Sequence, residues 1–403
     1  MKVTIYPSQA RGTVTAPPSK SMAHRLLIAG ALSSGSCVKN VAYSQDVLAT
    51  LDCLGTLGAT VRRKGDTIYT GGLNLDNVAE DLRLNCRESG STLRFLIPLC
   101  LLCGKPITLE GSKRLMERPL TIYKELCETN GFRFEQTEDS VTVCGRLKAA
   151  KYGIDGNVSS QFVTGLLFAL SLIDGDSSLD VFGVFASRAY VDMTISAMKQ
   201  FGVTVDCGEN AFLMHGAQTY APSTVTVEGD YSNAAFLEAF NLLGGDVKVS
   251  GLSSESAQGD RVYRDFYQKL GTETCRFDLT DCPDLGPVMF ALAAACGGAK
   301  FTGVSRLRMK ESDRIDAMTI ELRKFGVTSR MDAETVEILP CVLTTPREEL
   351  CAHNDHRIVM ALSLLCSITG GTIVGAEAVA KSYPDYFKVI QSLGIEMSFY
   401  DFE

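Results

Sequence analysis

The sequence lacks any apolar run long enough to cross a bilayer. The most apolar stretch, residues 93–103, is too short for a membrane-spanning helix and is interrupted by Pro98. We also expect no signal or transit segment, because residues 1–9 have the pattern of a strand. We therefore expect a cytoplasmic protein that makes no membrane contact.

Cysteine spacings typical of metal sites are also absent. The 14 cysteines are scattered through apolar segments, and the C-x-x-C pair Cys100 and Cys103 lies in an apolar helical run without a second pair. Reduced, buried thiols that act as small hydrophobic groups explain this distribution better than disulfides or zinc. We expect no metal ion and no cofactor.

The sequence has no overall excess of positive charge, since 47 Asp and Glu outnumber 39 Lys and Arg. The formal net charge of −8 argues against a nucleic-acid coat, and the sequence has no basic stripes flanked by aromatic residues. Local basic clusters can still reverse the potential inside a cleft of an acidic protein. The expected partners are therefore small anionic molecules rather than nucleic acid.

The length and composition indicate a soluble globular protein of two domains. A chain of 403 residues is long for one hydrophobic core, and its 45% hydrophobic and 21% charged residues are ordinary for a soluble protein.

A short polar cluster, an apolar helical run and a closing glycine recur six times. Each run is apolar nearly all round, which predicts a buried helix, while Ser, Asp or Asn at its start supplies a cap and Gly ends it. The six copies lie at residues 19–35, 88–104, 155–175, 228–245, 281–298 and 353–371.

An amphipathic helix that ends in a glycine alternates with this pattern. The glycines are Gly58, Gly131, Gly202, Gly271, Gly326 and Gly394, and strand-like runs fill the gaps. The sequence thus predicts an α/β fold with a strand–helix–strand–helix–strand–strand unit repeated six times, three units in each domain. The alternative, one doubly wound sheet, needs a glycine-rich dinucleotide loop near its start, and none is present.

The repeat places polar clusters at the N-termini of buried helices. Helix N-termini present free N–H groups and a partial positive charge, so they bind anions. If the helices converge, the clusters face one shared cleft.

Most of the polar clusters combine a cation with hydroxyl or amide donors, as phosphate and carboxylate recognition requires. Any single cluster could be a capped surface helix or a solvated charged face, and His215 is interpreted as structural. Recurrence at the same place in each repeat favours function. The clusters lie at residues 19–25, 88–94, 113–119, 157–161, 187–190, 281–284, 308–314, 354–357 and 381–385.

These residues also carry a family resemblance. Pro18-Ser-Lys-Ser21 with Arg25, Val158-Ser-Ser-Gln161, Met309-Lys-Glu-Ser-Asp-Arg314, Asn354-Asp-His-Arg357 and Ala380-Lys-Ser-Tyr-Pro-Asp-Tyr386 resemble the signatures of the 3-phosphoshikimate 1-carboxyvinyltransferase (5-enolpyruvylshikimate-3-phosphate synthase) family of enolpyruvyl transferases. The match runs in order from Lys20 to Asp385.

The resemblance implies an enolpyruvyl transferase fold that is inverse α/β barrel-like, with two domains of three units each. One domain is discontinuous, residues 1–19 plus 229–403, and the other comprises residues 20–228, with the active site in the cleft between them. The first is expected to carry Asp284, Lys310, Glu311, Arg314, Arg357 and Lys381. The second is expected to carry Lys20, Ser21, Arg25, Arg118, Ser159, Ser160 and Gln161.

The implied reaction transfers the enolpyruvyl group of phosphoenolpyruvate to the 5-hydroxyl of shikimate 3-phosphate and releases phosphate, through a tetrahedral intermediate. It belongs to the shikimate pathway, which leads to chorismate and the aromatic amino acids. We expect a monomer that closes about hinges near Ser19 and Glu228 when shikimate 3-phosphate binds, because converging cations repel one another in the empty protein.

The resemblance assigns roles residue by residue. Asp284 is expected to be the base, Glu311 the proton donor, and Lys20 and His356 supporting groups. Shikimate 3-phosphate is expected to contact Lys20, Ser21, Arg25, Ser159, Ser160, Gln161, Ser187, Tyr190, Asp284 and Lys310. Phosphoenolpyruvate is expected to contact Lys20, Gly90, Arg118, Gln161, Arg314, Arg357 and Lys381.

Three residues depart from the pattern of this family. Glu88 replaces an amide or small polar residue, Phe95 stands where Pro often follows the motif arginine, and Arg306 stands where some relatives have Asn. They put inhibitor sensitivity and affinity in doubt more than activity. Gly90, rather than Ala, predicts sensitivity to glyphosate.

Two competing interpretations remain. UDP-N-acetylglucosamine enolpyruvyl transferases carry a reactive cysteine ahead of an Arg-Pro pair, but residues 111–118 contain none, and Lys20-Ser21 replaces the usual Lys-Asn. A non-catalytic anion-binding or RNA-end-processing relative is the other, although such a protein would not need Asp284, Glu311 and His356 among its cations.

Overall fold

A computed structural model describes residues 1–157, 159–272 and 275–400. The chain forms two compact units: Met1–Pro17 together with Gly229–Glu403, called unit 1, and Pro18–Glu228, called unit 2. The first crossover therefore lies between Pro17 and Pro18, two residues before the boundary that the sequence suggested.

The α-helices of the described residues are numbered in chain order. They are α1 (Lys20–Leu32), α2 (Gln45–Thr56), α3 (Gly90–Cys100), α4 (Lys113–Glu117), α5 (Thr121–Asn130), α6 (Ser160–Leu170), α7 (Arg188–Lys199), α8 (Tyr231–Glu238), α9 (Tyr263–Lys269), α10 (Gly286–Ala295), α11 (Arg314–Lys324), α12 (His356–Thr369) and α13 (Tyr386–Ser392).

The strands are numbered in the same way. They are β1 (Lys2–Ile5), β2 (Arg11–Thr15), β3 (Ser36–Lys39), β4 (Thr60–Lys64), β5 (Thr67–Gly71), β6 (Leu82–Asn85), β7 (Ile107–Glu110), β8 (Arg133–Gln136), β9 (Ser140–Cys144), β10 (Lys151–Asp155), β11 (Ser177–Phe182), β12 (Asp206–Cys207), β13 (Ala211–Met214), β14 (Thr224–Thr226), β15 (Asp246–Ser250), β16 (Arg276–Asp278), β17 (Ala299–Thr302), β18 (Ser329–Met331), β19 (Thr335–Ile338), β20 (Leu350–Cys351), β21 (Gly371–Val374) and β22 (Met397–Tyr400).

Unit 2 contains three sheets of the same design. Their strand orders are β14-β3-β5-β4, β6-β7-β9-β8 and β10-β11-β13-β12. In each sheet the first pair is parallel and the remaining pairs are antiparallel. Helices α3 and α6 cross over between the parallel strands of the second and third sheets, whereas β3 and β14 come from opposite ends of unit 2. The predicted α/β repeat is confirmed here.

Unit 1 repeats this design twice and shortens it once. The sheets β20-β21-β1-β22 and β16-β17-β19-β18 are complete, whereas β2 and β15 form a parallel pair on their own. Within the described residues, the fourth copy, which begins at residue 228, therefore shows no hairpin. Only six residues separate α9 from β16, whereas the segment between α2 and β6 holds the two strands β4 and β5.

Six helices, one from each repeat, are buried almost completely, as the apolar runs predict. They are α1, α3 and α6 in unit 2 and α8, α10 and α12 in unit 1. Side chains cap five of them: Ser19, Ser89, Ser159, Asp230 and Asp355. In the described chain, α10 starts without a side-chain cap and instead continues a 3-10 turn, Pro283–Leu285.

The prediction that the cysteines are buried holds for Cys100, Cys103 and Cys366 but is wrong for Cys207 and Cys351, which are exposed on two-residue strands.

Across the residues that are described, no helix combines the length and apolar character needed to cross a membrane.

Candidate active site

The α10, α11 and α12 helices of unit 1 bring charged side chains together at their N-terminal ends. We call this group the Arg314 cluster. Its members are Asp284, Lys310, Glu311, Arg314, Asp355 and Arg357.

Arg314 is the centre of the cluster and is 1% exposed. Its Nη1 donates to Asp284 Oδ1 at 2.9 Å, its Nη2 to Glu311 Oε2 at 2.9 Å, and its Nε to Asp355 Oδ2 at 2.8 Å. Burial lowers the pKa of Arg314, but the three carboxylates more than offset this effect and raise it above its ordinary value. One permanently charged guanidinium therefore fixes three carboxylates.

Asp284 lies directly before α10 and contacts three cations. Its Oδ1 accepts from Arg314 and lies 3.3 Å from Lys310 Nζ, and its Oδ2 accepts from Arg357 Nη2 at 3.0 Å. Burial alone would raise the pKa of this carboxyl, but Arg357, Lys310 and Arg314 hold it well below its usual range. Asp284 is therefore ionised at neutral pH, as a proton acceptor must be.

Lys310 follows a 3-10 turn, Ser305–Met309, and is a weaker cation than most lysines. Burial is the main reason that the pKa of Lys310 falls to about 8. The neighbouring charges of Arg314 and Arg306 lower this pKa further, while Asp284 raises it. Arg306, a departure noted in the sequence, is thus close enough to tune this amine.

The N-terminus of α12 presents further polar groups. Asp355 caps the helix, because its Oδ1 accepts from the Arg357 amide at 2.9 Å. His356 is buried, with its Nδ1 3.8 Å from Asp355 Oδ1. Lys381 Nζ donates to the Asn354 carbonyl at 2.6 Å, which brings it beside this helix start.

In unit 2, the start of α1 carries Lys20, whose Nζ lies 2.8 Å from Asp46 Oδ2 at the start of α2. Both side chains are largely buried. Asp46 was not predicted from the sequence as a site residue. Its carboxylate holds the Lys20 ammonium group at the N-terminal ends of α1 and α2.

Arg25 lies one turn further along α1 and is 2% exposed. Its Nε donates to Thr194 Oγ1 at 2.8 Å, its Nη1 to the Ser21 carbonyl at 2.6 Å, and its Nη2 to the Tyr190 carbonyl at 2.8 Å. Burial lowers its pKa to about 9. Two of these bonds tie α1 to α7, and the third stays within α1.

The start of α3 brings Gly90 close to two arginines. A Cβ at this position would lie 2.6 Å from Arg118 Nη1 and 2.9 Å from Arg94 Nη1. Arg94 Nη1 donates to Gln161 Oε1 at 3.0 Å, and Gln161 Nε2 donates to Ser91 Oγ at 3.0 Å. Glycine is thus needed for the close approach of these guanidinium groups to the helix start.

The starts of α6 and α7 carry the predicted serines. Ser159 caps α6, and Ser160 is its buried first residue. Ser187 precedes α7 in a left-handed conformation, with a φ of 60°. Val158, the first residue of the quoted motif, lies outside the described residues.

Comparison with known proteins identifies the family. The family model of EPSP synthase (3-phosphoshikimate 1-carboxyvinyltransferase) matches residues 6–390. A 3-phosphoshikimate 1-carboxyvinyltransferase of Clostridium kluyveri is 38% identical, with 98% of each chain covered. The chain belongs to the EPSP synthase family.

Solved structures agree with this fold. EPSP synthase from Acinetobacter baumannii matches with a TM-score of 0.78 at 23% identity, covering 99% of this chain and 100% of that one. The enolpyruvyl transferase NikO from Streptomyces tendae matches with a TM-score of 0.77 at 15% identity, covering 98% of each chain. The predicted two-domain enolpyruvyl transferase fold is confirmed.

Within this EPSP synthase family member, the sequence left three contact residues unassigned: Asp46, Arg94 and Asp355. Arg94 and Asp355 stand inside quoted polar clusters, which could have suggested them. Asp46 had no such signal, because only the packing of α1 against α2 places it beside Lys20.

Proposed function

We propose that this chain transfers the enolpyruvyl group of phosphoenolpyruvate to the 5-hydroxyl of shikimate 3-phosphate, and that the Arg314 cluster and the helix starts of unit 2 serve this one reaction. The observation that carries the proposal is Asp284, an ionised carboxylate held by three cations in a member of the EPSP synthase family. We further propose a monomer that works in the cytoplasm.

Phosphoenolpyruvate carries a phosphate and a carboxylate, and both need cations. In the proposal, Arg314, Arg357 and Lys381 of unit 1 bind these groups together with Lys20 and Arg118 of unit 2. Arginine forks match planar carboxylates and phosphate oxygens. Gln161 and the backbone at Gly90 complete this set.

Shikimate 3-phosphate is assigned to hydroxyl and amide donors at helix starts. The assigned residues are Lys20, Ser21, Arg25, Ser159, Ser160, Gln161, Ser187, Tyr190, Asp284 and Lys310. Helix N-termini suit a phosphate dianion. Because Arg25 already donates to the Ser21 and Tyr190 carbonyls, we assign it the further role of fixing those two residues.

The reaction removes a proton from the 5-hydroxyl of shikimate 3-phosphate and adds a proton to carbon 3 of phosphoenolpyruvate. In this scheme phosphoenolpyruvate draws Arg314 away from Glu311, and Glu311 binds a proton. Asp284 takes the proton of the 5-hydroxyl, and the oxygen attacks carbon 2 of phosphoenolpyruvate while the protonated Glu311 donates to carbon 3, supported by Lys20 and His356. Carbon 3 then returns a proton to Glu311, and the carbon–oxygen bond to phosphate breaks. Substrate anions draw Arg357 and Lys310 away from Asp284, which strengthens it as a base.

Product analysis in heavy water tests this proposal. Since carbon 3 becomes a methyl group in the tetrahedral intermediate, we expect 5-enolpyruvylshikimate 3-phosphate to carry deuterium on its vinyl carbon. Product without deuterium would contradict the addition–elimination route, and absence of product would contradict the function itself.

Replacing Gly90 with Ala is expected to weaken phosphoenolpyruvate binding. A methyl group 2.6 Å from Arg118 Nη1 displaces this guanidinium group, which is proposed to bind phosphoenolpyruvate. The KM for phosphoenolpyruvate should therefore rise about tenfold, the effect expected when one charged contact is strained. We expect competition by glyphosate to weaken in parallel. Steady-state kinetics at saturating shikimate 3-phosphate provide the measurement, and Gly55→Ala, at an exposed helical position where an added Cβ would meet only ordinary van der Waals contact, provides the control. An unchanged KM would remove Arg118 from the site.

The affinity for shikimate 3-phosphate is expected to fall as pH rises through about 8, the pKa of Lys310. Lys310 binds phosphate as a cation, so binding is strongest below this pKa and is lost when the amine becomes neutral. The pH profile of kcat/KM for shikimate 3-phosphate reports this group in the free protein. In Lys310→Arg the fall should move to higher pH, and a profile identical to wild type would exclude Lys310 from this role.

A further inference from the structure

The loop that carries Asp355 and leads into α12 has an unusual backbone. Two consecutive residues in it, His353 and Asn354, have φ values of 49° and 53°. Residues other than glycine adopt this left-handed conformation uncommonly, although His and Asn do so more often than most. Two such residues in succession direct attention to the contacts that stabilise the loop from outside.

Glu321, in the middle of α11, makes such contacts while its side chain is only 1% exposed. Its Oε2 accepts from the Cys351 amide at 2.9 Å, and its Oε1 lies 2.9 Å from His353 Nε2. Lys324 Nζ, 2.9 Å from Oε2, balances the charge. Burial raises the pKa of Glu321, but these contacts with His353, Lys324 and the Cys351 amide bring it below its usual value.

The same helix holds the loop at a second point. Arg314 lies seven residues before Glu321, which is about two helical turns and therefore the same face of α11. Arg314 binds Asp355 at the far end of the loop, while Glu321 binds Cys351 and His353 at the near end. Helix α11 thus fixes both ends of the segment that presents His356 and Arg357.

We propose that Glu321 is a positioning residue for phosphoenolpyruvate binding, acting through the loop on Asp355 and Arg357. It lies two turns from the charged end of α11 and acts without touching substrate. This inference rests on the phosphoenolpyruvate-binding roles proposed above for Arg314 and Arg357.

A graded series of variants tests the proposal. Glu321→Met removes both acceptor atoms, and we expect the KM for phosphoenolpyruvate to rise about tenfold, the size of one lost charge-assisted hydrogen bond. The KM for shikimate 3-phosphate should change less than about twofold, because its proposed ligands lie mainly in unit 2. Glu321→Gln retains an acceptor for the Cys351 amide and should recover part of the loss.

Glu349→Gln is the matched control. Glu349 lies two residues before Cys351 and forms an exposed ion pair with Lys2, so its replacement should leave both KM values at wild-type levels. If Glu321→Met lowers only the urea midpoint of unfolding and both KM values stay normal, Glu321 is merely structural and the proposal is wrong.

A variant at His353 tests the same contact if Glu321→Met fails to fold. His353→Ala, at a partly exposed site, should still raise the KM for phosphoenolpyruvate about threefold through one lost bond, and an unchanged KM contradicts the proposal.

Arg357→Met tests the underlying assignment of Arg357 to phosphoenolpyruvate. A normal KM in that variant would refute the role of Arg357, whereas an inactive wild type would refute the proposed function instead.

Discussion

Replacing Asp284 with Asn is expected to lower kcat by about 10²–10⁴-fold, the range for loss of a general base. The amide has nearly the same shape and can still accept from one arginine, but it cannot take the proton of the 5-hydroxyl. The KM for phosphoenolpyruvate should not rise, because removal of a negative charge leaves Arg314 and Arg357 more available to an anion.

Phosphate release at saturating substrates gives kcat for this variant, and urea unfolding shows whether the fold survives. Asp246→Asn, an exposed residue of β15, is the control for loss of one carboxylate in the same unit. A kcat within about threefold of wild type would exclude Asp284 as the base, since even a modest general base contributes far more. Lys310, the neighbouring amine, would then become the first alternative.

Replacing Lys20 with Met is expected to reduce kcat/KM for both substrates by about 10²–10³-fold, the effect of removing one preorganised donor from developing charge. The Lys20 ammonium is held by Asp46 at the junction of α1 and α2, so its position is fixed before substrate arrives. Methionine keeps the length and apolar stem of lysine and removes only the charge.

The measurement is steady-state kinetics with each substrate varied in turn. Lys39→Met, at an exposed position of β3, removes a lysine from the same unit and should have little effect. A loss confined to one substrate would show that Lys20 does not contact both, and the absence of any loss would exclude it from the site.

Local patterns were sufficient to predict the repeated helices. In α1, a capping serine and a continuous apolar run indicate the same buried helix, and the structure agrees, but the helix ends at Leu32 with Ser33 as its C-cap, ahead of the predicted closing Gly35. These signals work because caps and burial depend on residues close together in the sequence. The shortened fourth repeat could not be predicted in this way, since the length between α9 and β16 matters only once the strands are known.

Contacts between residues that are distant in the sequence limit how much of the site could be predicted. Arg314 and Asp355 are 41 residues apart, and Arg94 and Gln161 are 67 residues apart, so only packing of whole helices reveals these pairs. The family resemblance suggested Arg314 and Gln161, but not the partners that orient them. The role of Glu321 likewise depends on a loop that begins 30 residues later.

The chemical environment of Asp284 was partly predictable. Its position among cations indicates a lowered pKa, and the structure shows that this holds despite burial. The weak basicity of Lys310 was not foreseen, because it arises from burial beside Arg314 and Arg306, which the sequence alone does not place together.

Phosphate release by the purified chain tests the central claim most directly. The assay combines phosphoenolpyruvate with shikimate 3-phosphate, with UDP-N-acetylglucosamine or with no acceptor. We expect release only with shikimate 3-phosphate. Release with UDP-N-acetylglucosamine, or no release with any acceptor, would contradict the proposed reaction and direct attention to Glu88 and Arg306, the charged departures from the family pattern.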